Sequence, residues 1–177
     1  MTALDDIEKL LATHKGRPPI EKWHPALSGD IDIQILADGR WIHEGGEIRR
    51  HELVKLFASI LRREEDGEYY LLTPVEKWRI RVDDLPLLIT DYIRSEEANN
   101  RLLVKTNVDT WYELNSTHQL LVETDESGQP QPSVVLEHGL AARVNRACFY
   151  RLVEEAVEHN GQCVLQTSGG DFVLGDL

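Results

Sequence analysis

Four arginines are the residues of this chain whose type and spacing could do chemistry. Arg49 and Arg50 stand at the start of one segment with helical apolar periodicity, and Arg143 and Arg146 stand at the start of another. A cation at a helix N-terminus opposes the helix dipole, but an anion there would meet the dipole, backbone N–H groups and guanidinium groups together. We therefore predict an anion-binding pocket, with the alternative that these arginines pair with the many surface carboxylates.

Five further side chains are predicted to contribute to this pocket. Trp41 could stack on a ligand, and polar contacts could come from His43, Thr73, Lys77 and Asn107. A tryptophan in a strand is more commonly a core residue, and the segment TPVEK at 73–77 is typical of a hairpin connection. Scaffold roles are therefore the alternative for these residues.

Familiar catalytic and metal-binding motifs are missing from the sequence. It contains no GxSxG nucleophile motif, no GxGxxG or GxxxxGK[ST] phosphate loop, and no HxH, HxxxH or HExxH spacing. Cys148 and Cys163 lack metal-type spacing and are predicted to be buried thiols. We therefore expect no enzymatic activity, no catalytic residue, no metal site and no cofactor, while an enzyme whose site follows no motif stays a third hypothesis.

The charge and hydropathy of the chain limit its partners. Its 177 residues carry a net charge of −12, which repels nucleic-acid phosphates and anionic lipid. Its apolar runs are far shorter than the roughly 20 residues of a membrane span, and its acidic N-terminus is unlike a signal peptide. We expect a cytoplasmic protein whose partners are neither nucleic acids nor membranes.

The order of predicted elements indicates an α+β fold. Apolar periodicity predicts helices over residues 3–13, 50–63 and 144–158. Alternation and turn residues predict strands at 31–36, 40–44, 68–73, 77–82, 101–106, 110–114, 119–124 and 133–138, followed by a last hairpin of QCVLQT and DFVLG. The first unit is therefore expected to be ββ-α-ββ.

An internal duplication is also predicted. The apolar stripe of the helix at 53–61 recurs at 149–157, and DGEYYLLT at 66–73 matches NGQCVLQT at 160–167. The alternative is that any helix followed by a hairpin shows this pattern. We divide the chain into an N-terminal helix and linker at 1–22, a first unit at 23–83, and a second unit of β-meander, helix and hairpin at 84–177.

Several segments together resemble the DUF1285 family of bacterial proteins. They are DGRWIHEGGEIRRHELVKLFASILRREEDGEYYLLTPVEKWRIRVDD, PPIEKWHP, GDIDI, KTN, GLAARVNRACFYRLVEEA and SGGDFVLG, which extend over the chain from about residue 18. The resemblance implies a duplicated α+β core in two domains, the C-terminal one superficially like a pleckstrin-homology fold. It also implies a ligand site in the groove between the domains, for a nucleotide-like molecule, with a role in signal transduction or stress response.

Two functions follow as hypotheses. The leading one is a regulatory or sensor module that binds a small anionic, nucleotide-like ligand at the interface of its two domains. The alternative is a protein-interaction module that uses an open sheet edge and has no small ligand.

Overall fold

The computed structural model describes residues 17–95 and 100–177, so the helix predicted over residues 3–13 lies outside the described residues. The chain divides into two compact units. The first consists of the residues up to Pro86 together with His138–Leu140, and the second consists of Leu87–Glu137 and Ala141–Leu177. The segment 138–140, which the sequence assigns to the second unit, is thus part of the first.

Among the described residues, the first unit contains a 3₁₀ turn, one helix and a six-stranded sheet. Its elements are the 3₁₀ turn Ile20–Lys22, β1 (Gly29–Ile35), β2 (Trp41–His43), β3 (Gly46–Glu47), α1 (His51–Ala58), β4 (Leu61–Arg63), β5 (Tyr69–Leu72) and β6 (Lys77–Val82). The strand order is β3-β2-β1-β6-β5-β4, so two antiparallel meanders meet at the parallel pair β1–β6. The core includes Ile33 and Ile35 of β1 and Phe57 of α1, all fully buried.

The second unit contains nine strands and one helix within the residues that the structure describes. They are β7 (Leu87–Ser95), β8 (Arg101–Thr106), β9 (Trp111–Glu113), β10 (Leu120–Thr124), β11 (Pro130–Val135), β12 (Ala141–Val144), α2 (Arg146–Glu155), β13 (Val157–His159), β14 (Gln162–Thr167) and β15 (Gly170–Asp176). Its six-stranded sheet has the order β10-β11-β12-β7-β8-β9, and β13-β14-β15 form a separate small sheet. In both units the first strand of one meander is parallel to the last strand of the other, so the two six-stranded sheets share one topology.

The predicted duplication is confirmed at the level of the two six-stranded sheets, whose shared order aligns β4–β6 with β10–β12. The predicted offset of 94 residues instead aligns the hairpin β5–β6 with the hairpin β14–β15 of the separate small sheet. In β5–β6, Tyr70 pairs with Arg79, Leu71 with Trp78, and Leu72 with Lys77. In β14–β15, the residues 94 positions later make the same pairs, namely Val164 with Val173, Leu165 with Phe172, and Gln166 with Asp171. The hairpin turns agree as well, because Thr73 Oγ1 accepts from Val75 N–H and Thr167 Oγ1 accepts from Gly169 N–H.

Both predicted helices are shorter than their apolar periodicity suggests. The first ends at Ala58 instead of 63, and Leu61 belongs to β4. The second ends at Glu155 instead of 158, and Val157 belongs to β13. In each case an apolar residue continues the helical spacing although the chain is already a strand at that point. With the additional strands β3 and β4, the first unit is βββ-α-βββ and not ββ-α-ββ.

Strand predictions succeed where alternation is strong. The bounds of β6 and β8 agree with the predicted 77–82 and 101–106. The strand predicted at 133–138 lies earlier, at Pro130–Val135. The prolines had suggested a turn, but Pro130 and Pro132 lie in an antiparallel ladder with β10. Strands β7 and β12 were missed, since Pro86 suggested a break and the AARV segment is only four residues long.

No helix within the described ranges is long and apolar enough to span a membrane.

Candidate functional site

A polar cleft in the first unit brings several charged side chains together. It has a volume of about 590 Å³. Its lining comes from the 3₁₀ turn, the β4–β5 hairpin and the inserted segment 138–140, and consists of Glu21, His24, Arg62, Arg63, Glu64, Glu65, Asp66 and His138. We call it the Arg62 cleft.

Arg62 closes one wall of this cleft. Its Nη1 donates to the carbonyl oxygens of Trp23 at 2.9 Å and Ile20 at 3.3 Å, and its Nη2 lies 2.6 Å from Glu64 Oε2. The 3₁₀ turn follows two prolines and buries Ile20 completely. Arg62 therefore fixes this turn against β4 by charge-assisted hydrogen bonds.

Glu64 lies between two cations. Its other oxygen, Oε1, accepts from Lys77 Nζ at 2.7 Å, and Lys77 lies 4.6 Å from the centre of the Tyr70 ring. Burial raises the pKa of Glu64, but the hydrogen bonds from Lys77 and Arg62 outweigh it, and the pKa is lowered overall. Glu64 is therefore ionised at neutral pH and neutralised by its two partners.

His138 lies on the opposite side of the network. Its backbone has a positive φ of 59°, and its carbonyl oxygen accepts from Arg63 N–H at 3.0 Å, on the outer edge of β4. Burial lowers the pKa of His138, and Arg17 and Arg62 lower it further against the opposing charge of Glu21. The imidazole is consequently neutral at pH 7.

The predicted residues of the first unit fall into two groups. His43, Arg49 and Arg50 lie on the β2–β3 hairpin and at the start of α1; the Arg49 side chain is 86% exposed, and its Nε is 3.3 Å from Glu47 Oε2. His43 Nε2 is 3.8 Å from Glu44 Oε1. Arg50 is the N-cap residue of α1 and makes no side-chain capping bond.

Trp41, Thr73 and Lys77 have structural contacts. Trp41 is 1% exposed and stacks on Phe57 with 6.2 Å between ring centres, so stacking on a ligand would require it to leave the core. Thr73 is fully buried, and its hydroxyl accepts the N–H groups of the β5–β6 turn. Lys77 is the one of the three that reaches the Arg62 cleft, through Glu64.

Asn107, Arg143 and Arg146 belong to the second unit. Asn107 Oδ1 accepts from Leu88 N–H at 3.0 Å, which ties the β8–β9 turn to β7. Arg143 lies in β12 and donates to the Pro132 carbonyl at 3.2 Å. Arg146 is the exposed first residue of α2.

The described part of the chain shows little that could support metal binding or thiol chemistry. No group of three or more His, Cys, Asp or Glu side chains there could hold a metal ion. Cys148 is buried, and burial raises the pKa of its thiol to about 11. Cys163 is only half-buried, contrary to the expectation of two buried thiols.

Comparisons with known proteins agree over nearly the whole chain. Residues 18–85 match the family model "Domain of unknown function (DUF1285), N-terminal domain", and residues 86–174 match "Protein of unknown function (DUF1285), C-terminal domain". The chain belongs to the DUF1285 family. The recognition made from the sequence is thereby confirmed.

Two crystal structures of DUF1285 proteins resemble this chain. One, from Silicibacter pomeroyi DSS-3, is 35% identical with a TM-score of 0.87, and the alignment covers 97% of this chain and 95% of that one. Another, from Shewanella baltica OS155, is 38% identical with a TM-score of 0.58, over 70% of this chain and 91% of that one. No functionally curated protein matches the chain.

The main residues of the Arg62 cleft in this DUF1285 chain were missed at the level of sequence. His24 and His138 belong to no motif in the sequence, and Arg62 and Arg63 fall at the end of the helix predicted over 50–63. One feature of the sequence could have indicated the cleft, namely the Arg-Arg pair just before the Asp66-Gly67 turn in an acidic chain. Long-range contacts between positions 24, 62–66 and 138 leave no local pattern.

Proposed function

We propose that this DUF1285 protein is a non-catalytic regulatory module of the cytoplasm that binds a small anionic ligand in the Arg62 cleft. One observation carries the proposal. His24, Arg63 and His138 line the cleft, and no hydrogen bond of either imidazole is seen among the described residues, while Arg63 donates from Nε to the Gly67 carbonyl oxygen and lies over the Tyr69 ring. Such groups are donors that an anionic ligand can use.

The charge around His138 supports an anion. Arg17 and Arg62 both disfavour protonation of this histidine and Glu21 favours it, so two cations and one carboxylate act on its ring in a protein that is acidic as a whole. An anion bound there gains from these cations without displacing the Arg62–Glu64 pair. It would also favour the protonated imidazole and raise the pKa of His138.

The rim of the cleft narrows the class of ligand. Glu21 and Glu65 are exposed carboxylates on its edge and would repel a compact, highly charged anion. A volume of about 590 Å³ suits a small organic molecule. A nucleotide-like ligand fits both conditions, because its phosphate can face Arg63 and the histidines while its amino or hydroxyl groups donate to the carboxylates.

The four arginines that the sequence indicated as an anion site do not line the Arg62 cleft. Arg49 and Arg50 are in the first unit, whereas Arg143 and Arg146 are in the second. A ligand at the interface of the two domains, bound by all four, stays a prediction. A role in signal transduction or stress response is likewise part of the proposal.

A thermal-shift screen tests the proposal. We expect millimolar phosphate, pyrophosphate or nucleotide to raise the melting temperature of the wild type, because a ligand of the folded state stabilises it by mass action. His138→Asn should abolish the rise, since Asn tolerates the left-handed backbone but lacks the imidazole.

His159→Asn is the matched control, an exposed histidine of the second unit that should keep the full ligand effect. If no anion raises the melting temperature, or if His138→Asn responds like the wild type, the Arg62 cleft is not an anion site.

The second candidate function is a protein-interaction module without a small ligand. Open sheet edges favour it, because β10, β13 and β15 each stand at the end of a strand order in the described residues. All three residues of β13 are exposed. An edge of this kind can pair with an extended segment of another protein.

A further inference from the structure

A groove in the second unit runs between the edge strands β10 and β15. Two adjacent cavities of about 490 Å³ and 610 Å³ form it, and they share Val122 of β10 and Val173 of β15 as lining residues. The larger cavity is walled mainly by apolar side chains, including Phe149 and Val153 of α2 and Leu174 of β15. The smaller cavity is lined largely by polar residues and glycines, including Asn115, Ser116 and Gln119, so the groove joins an apolar channel, which is the larger cavity, to a polar one.

Apolar side chains remain exposed along this groove. Leu121 is 43% exposed, Val173 is 45% exposed and Val153 is 37% exposed. Single exposed apolar residues are ordinary, but a lined channel with several of them is typical of a binding surface. The channel excludes a highly hydrated occupant.

Backbone groups of β10 also face the groove. Val135 N–H donates to Gln119 O, and in the antiparallel register Leu121 then bonds to Ser133 on β11. The alternation of such ladders turns the N–H and C=O groups of Leu120 and Val122 away from β11. These groups lie on the side of β10 that is not paired in the sheet.

The charge around the groove indicates which kind of partner it can bind. None of the residues that line the groove is a lysine or arginine. Exposed carboxylates lie on the two hairpins beside the groove, namely Glu123, Asp125, Glu126, Asp171 and Asp176. An anionic occupant and a second copy of this acidic chain are disfavoured for the same reason, namely like-charge repulsion.

We propose that the β10–β15 groove binds an extended segment of a partner protein in which apolar residues alternate with lysine or arginine. The apolar side chains enter the channel and the cations face the carboxylates of the two hairpins. This inference rests on the second proposed function and is independent of the anion site.

A random-peptide phage selection on the full-length protein tests the inference. We expect enrichment of sequences that alternate apolar and basic residues, and synthetic copies of them should bind Val173→Lys at least about tenfold more weakly than wild type. Val75→Lys is the matched control, since Val75 is 73% exposed in the first unit and should leave peptide affinity unchanged. Circular dichroism and melting curves establish that each variant is folded.

The other outcomes decide between the proposals. Peptides that bind Val173→Lys as well as wild type would overturn the groove but leave a protein-interaction module standing. Enriched acidic or phosphorylated sequences would overturn the charge argument. A wild-type dimer that Val173→Lys dissociates would assign the groove to a second copy, and absence of any enrichment would overturn both the groove and the second candidate function.

Discussion

Glu64 is the residue on which the charges of the Arg62 cleft depend. It pairs with Arg62 at 2.6 Å and with Lys77 at 2.7 Å, and its side chain is 25% exposed. Removing the carboxylate would leave two partly buried cations facing each other without a counter-charge. Such a cluster is therefore sensitive to the loss of its single acidic member.

We predict that Glu64→Gln lowers the free energy of unfolding by about 2 kcal/mol at pH 7, measured by urea denaturation. The folded pKa of Glu64 is below its ordinary value, so this contribution is present above that value and is lost as the pH falls through the folded pKa. The wild type and the variant should thus converge in acid. Exposed Glu65→Gln is the control and should change stability by less than about 0.5 kcal/mol; equal effects of the two substitutions would contradict the network.

The insertion of His138–Leu140 beside β4 is the element that completes the cleft. Gly139 has a φ of +73°, and a Cβ there would lie 2.5 Å from the Arg63 carbonyl oxygen. The backbone of this segment therefore approaches the sheet edge at a distance that only glycine permits.

We predict that Gly139→Ala costs about 2–4 kcal/mol of stability and weakens anion binding by displacing His138. Gly128→Ala provides the comparison, because Gly128 has a similar φ of +83° but open space around its Cα. It should cost about 1 kcal/mol, for backbone strain alone. Urea denaturation measures both, and similar losses would mean that the contact with Arg63 is not tight.

Local sequence determines the elements better than their ends. The alternation in KWRIRV and the Asp38-Gly39 turn specify a strand and a hairpin by themselves, and both are confirmed. The helix ends could not be predicted from periodicity, because Leu61 and Val157 satisfy helical spacing while packing as strand residues. The Arg62 cleft could not be predicted either, because its walls come from segments that are far apart in the sequence and meet only in the folded chain.

Charge is distributed unevenly over the whole molecule. Residues 86–177 carry 14 acidic side chains and six lysines or arginines, whereas residues 1–85 carry 17 and 13. The more acidic half contains the β10–β15 groove, and the more balanced half contains the Arg62 cleft. The proposed ligands of the two sites accordingly have opposite charges.

Acid is expected to destabilise the whole protein. Several exposed carboxyls have lowered pKa values because they accept hydrogen bonds in the fold: Asp30 from Arg79, Asp38 from the backbone of Arg40, Asp66 from Tyr70, Asp91 from Arg151, and Asp125 from Ser127. Their contribution is present above the ordinary aspartate pKa of about 4 and disappears as the pH falls below it. The midpoint of urea denaturation should therefore fall between about pH 5 and pH 3, because these carboxyl groups become protonated there. A midpoint that rises over that interval would contradict this expectation.

The pKa of His138, followed by NMR titration of its imidazole, tests the anion site most directly. We predict a His138 pKa below the ordinary 6.5 in the free protein, and an upward shift when pyrophosphate is added at millimolar concentration, while the imidazole resonances of exposed His159 do not respond to pyrophosphate at constant pH. A His138 pKa that pyrophosphate leaves where it was, or an equal response of the His159 resonances, would contradict the anion site.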